Sequence, residues 1–141
     1  MTPDQVKAIQ ESFTKVAPIS EQAAALFYGR LFEIAPAVKP LFRGDMKEQG
    51  RKLMATLGVV VNGLSNLESI LPAASALAKR HVAYGVKAAD YEPVGEALLW
   101  TLERGLGTQW TPRLAAAWGT AYGVLSEFMI NEAYGRSAAA E

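Results

Sequence analysis

His81 is the single histidine in 141 residues, and the chain has no cysteine. That pairing excludes much chemistry at once. Without thiols there are no disulfides, no thiolate zinc sites and no cysteine nucleophile. With one imidazole there is no two-histidine zinc site. The H-E-x-x-H, G-x-S-x-G and G-x-x-x-x-G-K-[ST] patterns are all absent. Glu68, Asp90, Glu92, Glu96 and Glu103 are scattered and form no evident acid/base couple. "GLGTQW" follows a helical stretch rather than a strand, so it reads as a helix stop. The basic pairs Arg51-Lys52 and Lys79-Arg80 read as solvated faces.

Taken alone, a histidine near a helix end is most simply an exposed residue or a partner for the helix dipole. Three local features separate His81 from that reading. Leu77, Ala78 and Ala74 lie four, three and seven residues before it, on the same helical face, so it points inward from a small-residue surface. Gly85 and Val86 then turn the chain and lay an apolar residue nearby. A helical chain without a polar cluster also leaves the demanding chemistry to a cofactor. One imidazole is what a five-coordinate haem iron requires.

The elements that must position this residue are helices. Thr2-Pro3-Asp4-Gln5 is a capping box with proline at the first helical position. Val6, Ile9, Phe13 and Val16 follow at helical spacing, and Pro18 stops the run. Ser20 is placed to cap a second helix bearing Leu26, Phe27, Leu31, Phe32 and Ile34. Pro36 breaks it and leaves room for a short helical piece before Phe42. Asp45 and Glu48 open a third helix through Leu53, Leu57 and Leu64. "NLESILP" predicts a short connecting helix, with Pro72 opening a separate one that ends at Gly85. Val94, Leu98, Leu102 and Leu106 mark a further helix closed by Gly105 and Gly107, and Thr111-Pro112 starts a long last one. Period-two alternation and Asn-Gly turns are missing, so the prediction is an all-α fold of seven to eight helices. It forms one domain over 1–135, followed by a frayed tail over 136–141.

Composition agrees. Half the residues are hydrophobic and a fifth charged, which is globular. Lys plus Arg equals Asp plus Glu at 14 each, which argues against a sequence-independent nucleic-acid binder. The N-terminus lacks the apolar run of a signal peptide. Unbroken apolar stretches such as Val59-Val60-Val61 fall far short of the ~20 residues that span a bilayer, so no membrane role is expected. A cysteine-free chain fits the cytoplasm.

The sequence resembles a globin. "LAKRHVAYGVKAADYEPVGEALLWTLERGLG" is similar to the proximal-histidine segment of neuroglobin-like and bacterial haemoglobins. "LFYGRLFEIAPAVKPLF" resembles their second helix, proline corner and pocket phenylalanine. "AAWGTAYGVLSEFMI" resembles the last helix of bacterial haemoglobins and of the globin part of flavohaemoglobins. The likeness covers nearly the whole chain. It implies a globin fold around a haem b pocket, with His81 as the proximal iron ligand and Phe42 stacked beside the haem; ordinary core is the plainer reading of Phe42. It further implies a pocket lined by Leu53, Leu57, Leu77, Val86, Tyr91 and Val94, with Lys52 and Arg80 near the haem carboxylates.

"KEQGRKLMATLG" resembles the distal helix and puts Gln49 at the position many globins give to a distal histidine, with Leu53 one turn on. Tyr28 falls at the distal tyrosine of bacterial haemoglobins. Phenol O–H and amide N–H both donate hydrogen bonds, which polarised O2 accepts better than CO. Gln49 has a second reading, turned out to solvent. On the proximal side, Tyr91 matches the tyrosine of flavohaemoglobins, while Glu132 stands one residue early compared with their glutamate. Glu132 is either a carboxylate tuning the imidazole or a solvated helix end.

What the resemblance implies for function is a haem globin that binds O2 reversibly, with CO and NO as further ligands, as a monomer or weak homodimer. The alternative is nitric oxide dioxygenase activity. The chain ends after the globin part without flavin or nicotinamide modules, so that alternative calls for a separate reductase. A haem-free helical interaction module is the weaker rival.

Overall fold

The computed structural model describes the backbone over residues 2–42 and 44–140, with side chains as far as Ala133. Among the described residues there are six α-helices and no strand. They are α1 (Pro3–Val16), α2 (Ser20–Ile34), α3 (Met46–Gly63), α4 (Leu67–Ala83), α5 (Tyr91–Leu106) and α6 (Pro112–Ala140). Short 3-10 segments link them, so several of the seven to eight expected helices are pieces of three to six residues, such as Pro36–Leu41 ahead of Phe42. The tail expected to fray, 136–141, lies beyond the described side chains, and Glu141 lies outside the described residues.

Local chemistry explains three of the six helix starts. Thr2 and Gln5 form the capping box: Gln5 N–H donates to Thr2 Oγ1 at 3.2 Å, and Thr2 N–H donates to Gln5 Oε1 at 2.9 Å. Asp45 accepts from Lys47 N–H at 2.9 Å, and Thr111 accepts from Leu114 N–H at 3.1 Å. Each satisfies a donor that the first helical turn leaves without a partner.

Two expectations need correction. Ser20 does not cap α2; it is the first helical residue, and the cap position is Ile19, without a side-chain hydrogen bond. The turn Ala17–Ile19 runs directly into α2, and Ser20 N–H already donates to the Ala17 carbonyl. Pro72 does not open a new helix either; it lies inside a continuous α4. Proline offers no N–H to the carbonyl four residues back. That carbonyl belongs to Glu68, and both residues are exposed, so water can take the missing donor's place.

The stretch Met46–Ala83 is also more apolar than the unbroken runs suggest. By length and composition it could cross a membrane, with a window of mean hydropathy 1.2 that is 22% buried. A 3-10 turn at Leu64–Asn66 divides it into α3 and α4, and both pack on other helices of the bundle.

α2 packs on α5 and α3, α1 on α6, and α4 on α6. α1 and α6 are tied by Trp118 Nε1–H, which donates to Ser12 Oγ at 2.9 Å in the core. The buried apolar residues form two clusters. The larger contains Ile9, Val16, Phe27, Tyr28, Leu31, Leu98, Leu102 and Trp118, with Phe42, Leu53, Leu57 and Val94 half-buried on its edge. The smaller is Ala74, Ala78, Tyr91 and Met129, edged by Leu77, Val86, Leu125 and Phe128. They meet in sequence at the first turn of α5, where Tyr91 belongs to one and Val94 to the other.

Candidate functional site

His81 sits in the last turn of α4, and the end of that helix is built to hold it. Gly85 has φ +95° and closes α4 with paired bonds, Val86 N–H to His81 O at 2.9 Å and Gly85 N–H to Val82 O at 3.0 Å. This is the Schellman arrangement, which needs a left-handed residue just past the cap. The imidazole then bonds one turn back: His81 Nδ1 lies 2.7 Å from the Leu77 carbonyl oxygen. A carbonyl oxygen can only accept, so Nδ1 carries a proton, and in the neutral ring the lone pair is on Nε2.

The Tyr91 ring stacks on His81 with centroids 6.2 Å apart and planes at 29°. Tyr91 is held from behind by α6, where Tyr122 donates its hydroxyl proton to the Tyr91 carbonyl. Burial, aided by the Tyr91 phenol nearby, pushes the Tyr122 hydroxyl well above the usual phenol range.

A second group of predicted residues gathers around Tyr28. Its ring is buried and meets Phe27 at 5.0 Å, Phe42 at 5.3 Å and Phe32 at 6.0 Å between centroids. Burial raises the Tyr28 hydroxyl above its ordinary value, and Gln49, in the first turns of α3, opposes this only in part. The phenol is therefore a protonated donor throughout the neutral range. Leu53 and Leu57 line a narrow apolar void of about 10 Å³ together with Phe27 and Leu98, so they face the interior of the larger cluster.

The other predicted residues are placed as follows. Leu77 and Val86 flank His81 on the edge of the smaller cluster, and Val94 edges the larger one. Lys52 and Arg80 are exposed. Glu132 is exposed and accepts a hydrogen bond from Ser75 Oγ at 2.8 Å, on the α4–α6 seam. The Nδ1 position that a tuning carboxylate would use is taken by Leu77 O. Sequence reasoning missed the Leu77 carbonyl as the partner of His81, along with Gly95 and Ser75. It registered Tyr122 only as a residue of the last helix. A groove of about 520 Å³ lies elsewhere, along α1 and the start of α6, and contains none of the predicted residues.

The donor set can be tested against a metal group. Among the described residues no cluster of three His, Cys, Asp or Glu could hold a bare ion. A porphyrin supplies its own four nitrogens, so its iron asks the protein for a single axial donor. His81 Nε2, on a ring held by Leu77 O and stacked on Tyr91, fits that requirement. Tyr28 and Gln49 are the polar donors of the second group of predicted residues, which is otherwise aromatic and apolar.

Comparison with known proteins shows the family. Residues 25–129 match the family model described as Globin. A flavohemoprotein from Rhodopirellula baltica is 29% identical over 128 residues, covering 89% of this chain and 31% of that protein. The chain thus spans about a third of that relative. A bacterial globin structure from Campylobacter jejuni superposes with a TM-score of 0.81 at 26% identity, covering 99% of this chain and all of the other. A Rhodothermus marinus protein, described as a nitric oxide dioxygenase and engineered as a carbene transferase, gives 0.85 at 25% identity, covering 100% of this chain and 99% of its own.

Proposed function

The chain belongs to the globin family, and from that premise we propose that it is a haem b protein that binds O2 reversibly. His81 is the protein's ligand to the iron, and Tyr28 and Gln49 are the donors on the gas-binding side. Haem, when bound, supplies an iron with one position for His81 and one for a diatomic gas. The chain's residues do the rest. The Leu77 carbonyl holds the imidazole in the tautomer that presents Nε2. Phe42, Leu53, Leu57, Leu77, Val86 and Val94 supply apolar surface that excludes water. Tyr28 O–H and Gln49 N–H offer protons to a polarised gas and favour O2 over CO. Lys52 and Arg80, both exposed, would meet the haem carboxylates at the rim.

The observation that carries this reading is the imidazole bond to the Leu77 carbonyl at 2.7 Å. A neutral backbone acceptor orients the ring without adding the negative charge that a carboxylate would bring, which favours holding O2 over activating it. The test is direct. The purified chain is expected to be red with a Soret band, and His81→Ala to lose most haem or change the ferrous spectrum, since no second histidine can replace it. Unchanged haem content together with an unchanged deoxy spectrum would end the assignment.

A second reading is favoured by the descriptions of the Rhodothermus and Rhodopirellula relatives. It is nitric oxide dioxygenase activity, in which O2, NO and one electron give nitrate. The electron would come from a separate reductase. Nitrate production at many turnovers per chain, with a reductase supplied, would favour this reading over storage.

A further inference from the structure

The outer face of α1 carries charges of alternating sign. Asp4, Lys7, Glu11 and Lys15 follow at steps of three, four and four residues, so all four stand on one side of the helix. All are exposed. Little of this charge is used within the chain. Lys7 and Glu11 approach only to 4.0 Å, with side chains 76% and 67% exposed, and no ion pair among the described residues includes Asp4 or Lys15. The same four residues line the groove of about 520 Å³ along α1. The less exposed part of its lining is small or apolar: Ala8 and Ser12 of α1, with Leu106 of α5 and Leu114 of α6. On the α6 side, Arg113 adds one more positive charge.

We propose that this face binds a second copy of the chain, with α1 lying antiparallel to α1 across a two-fold axis. Reversed end to end, the stripe is its own complement. Asp4 meets the partner's Lys15, Lys7 meets the partner's Glu11, and both contacts repeat on the other side of the axis. The midpoint of positions 4 and 15 and that of positions 7 and 11 lie half a residue apart, about 0.8 Å along the helix, so one axis serves both. A two-fold contact requires a patch that fits itself in this way. Parallel helices in register would set like charges against each other, so the pattern also selects the direction. Ala8 and Ser12, beside the stripe and close to the axis, are short enough to let the partner's helix approach the groove. Exposed ion pairs on one helix face make a small interface, so the dimer is weak and sensitive to salt. The groove contains none of the residues proposed to hold haem or gas, so the association does not rest on the proposed function.

The test is sedimentation of the full chain as purified. Dimer is expected at about 0.01 M salt, where the Debye length is about 30 Å, and association about tenfold weaker or more at about 1 M, where it is about 3 Å. Two variants then carry the decision. Lys7→Glu with Lys15→Glu makes the stripe wholly acidic, and Asp4→Lys with Glu11→Lys makes it wholly basic. Each alone is expected to be monomeric, and an equal mixture to form a one-to-one dimer at least as tight as the parent's. All four positions are exposed, so both variants should keep the parent's helical circular dichroism. A control separates the stripe from net charge: Lys47→Glu with Lys79→Glu makes the same charge change at exposed positions on α3 and α4. Mixed with the basic variant, it is expected to stay monomeric. A parent chain that remains monomeric at low salt would overturn the proposal, as would acidic and basic variants that fail to pair. A parent dimer left intact by either stripe variant would put the contact on another face and overturn it equally. So would a control that pairs with the basic variant as tightly as the acidic stripe does.

Discussion

Tyr28→Phe removes one hydroxyl and leaves the ring. The ring is 7% exposed and wedged among Phe27, Phe32 and Phe42, so packing is expected to survive and the variant to fold. What disappears is a buried donor. A hydrogen bond to a charged group contributes about 1.5–3 kcal/mol. At about 1.4 kcal/mol per tenfold, its loss would speed O2 escape by about ten- to a hundredfold. The structure points to the lower end of that range. Gln49 is a second amide donor beside the phenol, so when the hydroxyl is gone its amide can turn to the gas and recover part of the loss. The assay is stopped-flow displacement of O2 by CO from the ferrous protein, with CO dissociation as the control that barely moves. Gln49→Leu should show a smaller increase, and the double variant more than either, though not the product, because the two donors share one ligand. An O2 dissociation rate within about twofold of the parent in Tyr28→Phe would refute the argument that these donors retain O2, since that is well below the range the bond predicts.

Lys52→Ala should raise the rate of haem loss only modestly, because an exposed ion pair contributes about 0–1 kcal/mol; complete loss of haem would show that Lys52 does more than meet a carboxylate. Gly85→Ala forces a side chain into a left-handed backbone position and brings its Cβ within 3.2 Å of Leu41, so it should cost about 1–2 kcal/mol or more, read as a lower urea midpoint. Alkaline stability has a defined sign. Tyr28 and Tyr122 both ionise above the ordinary phenol value when folded, so above about pH 10 the unfolded chain releases phenol protons that the folded chain keeps. Stability should therefore fall as pH rises past that point, by up to about 1.4 kcal/mol per pH unit for each tyrosine. Urea midpoints across that range would show it, and Tyr28→Phe should flatten the slope; a slope that does not change on removing Tyr28 would contradict its burial as a protonated phenol.

The residues that could be read without a fold are those whose partners lie within about one helical turn. Thr2 and Gln5, Asp45, and Thr111 are caps, and a cap is a contract between near neighbours, so sequence spacing states it in full. His81 stands out as the single imidazole, on a small-residue face before a glycine turn, and its proposed role came from the family resemblance. Ser20 and Pro72 show where local rules are overruled. A preceding 3-10 turn took over the work of a cap, and an exposed backbone let proline stay inside a helix. The partners across the chain were decided only by folding. Glu132 pairs with Ser75, 57 residues away, because of which face α6 turns to α4. Tyr122 reaches Tyr91 across 31 residues, and Trp118 reaches Ser12 across 106. Helical spacing gives each residue's angle around its own axis, but the angle and offset between two axes follow from how whole faces interlock. Gly95 shows the difference: within its helix it reads as a mere weakness, and only the ring of Tyr122 seated against it shows why no side chain can stand there.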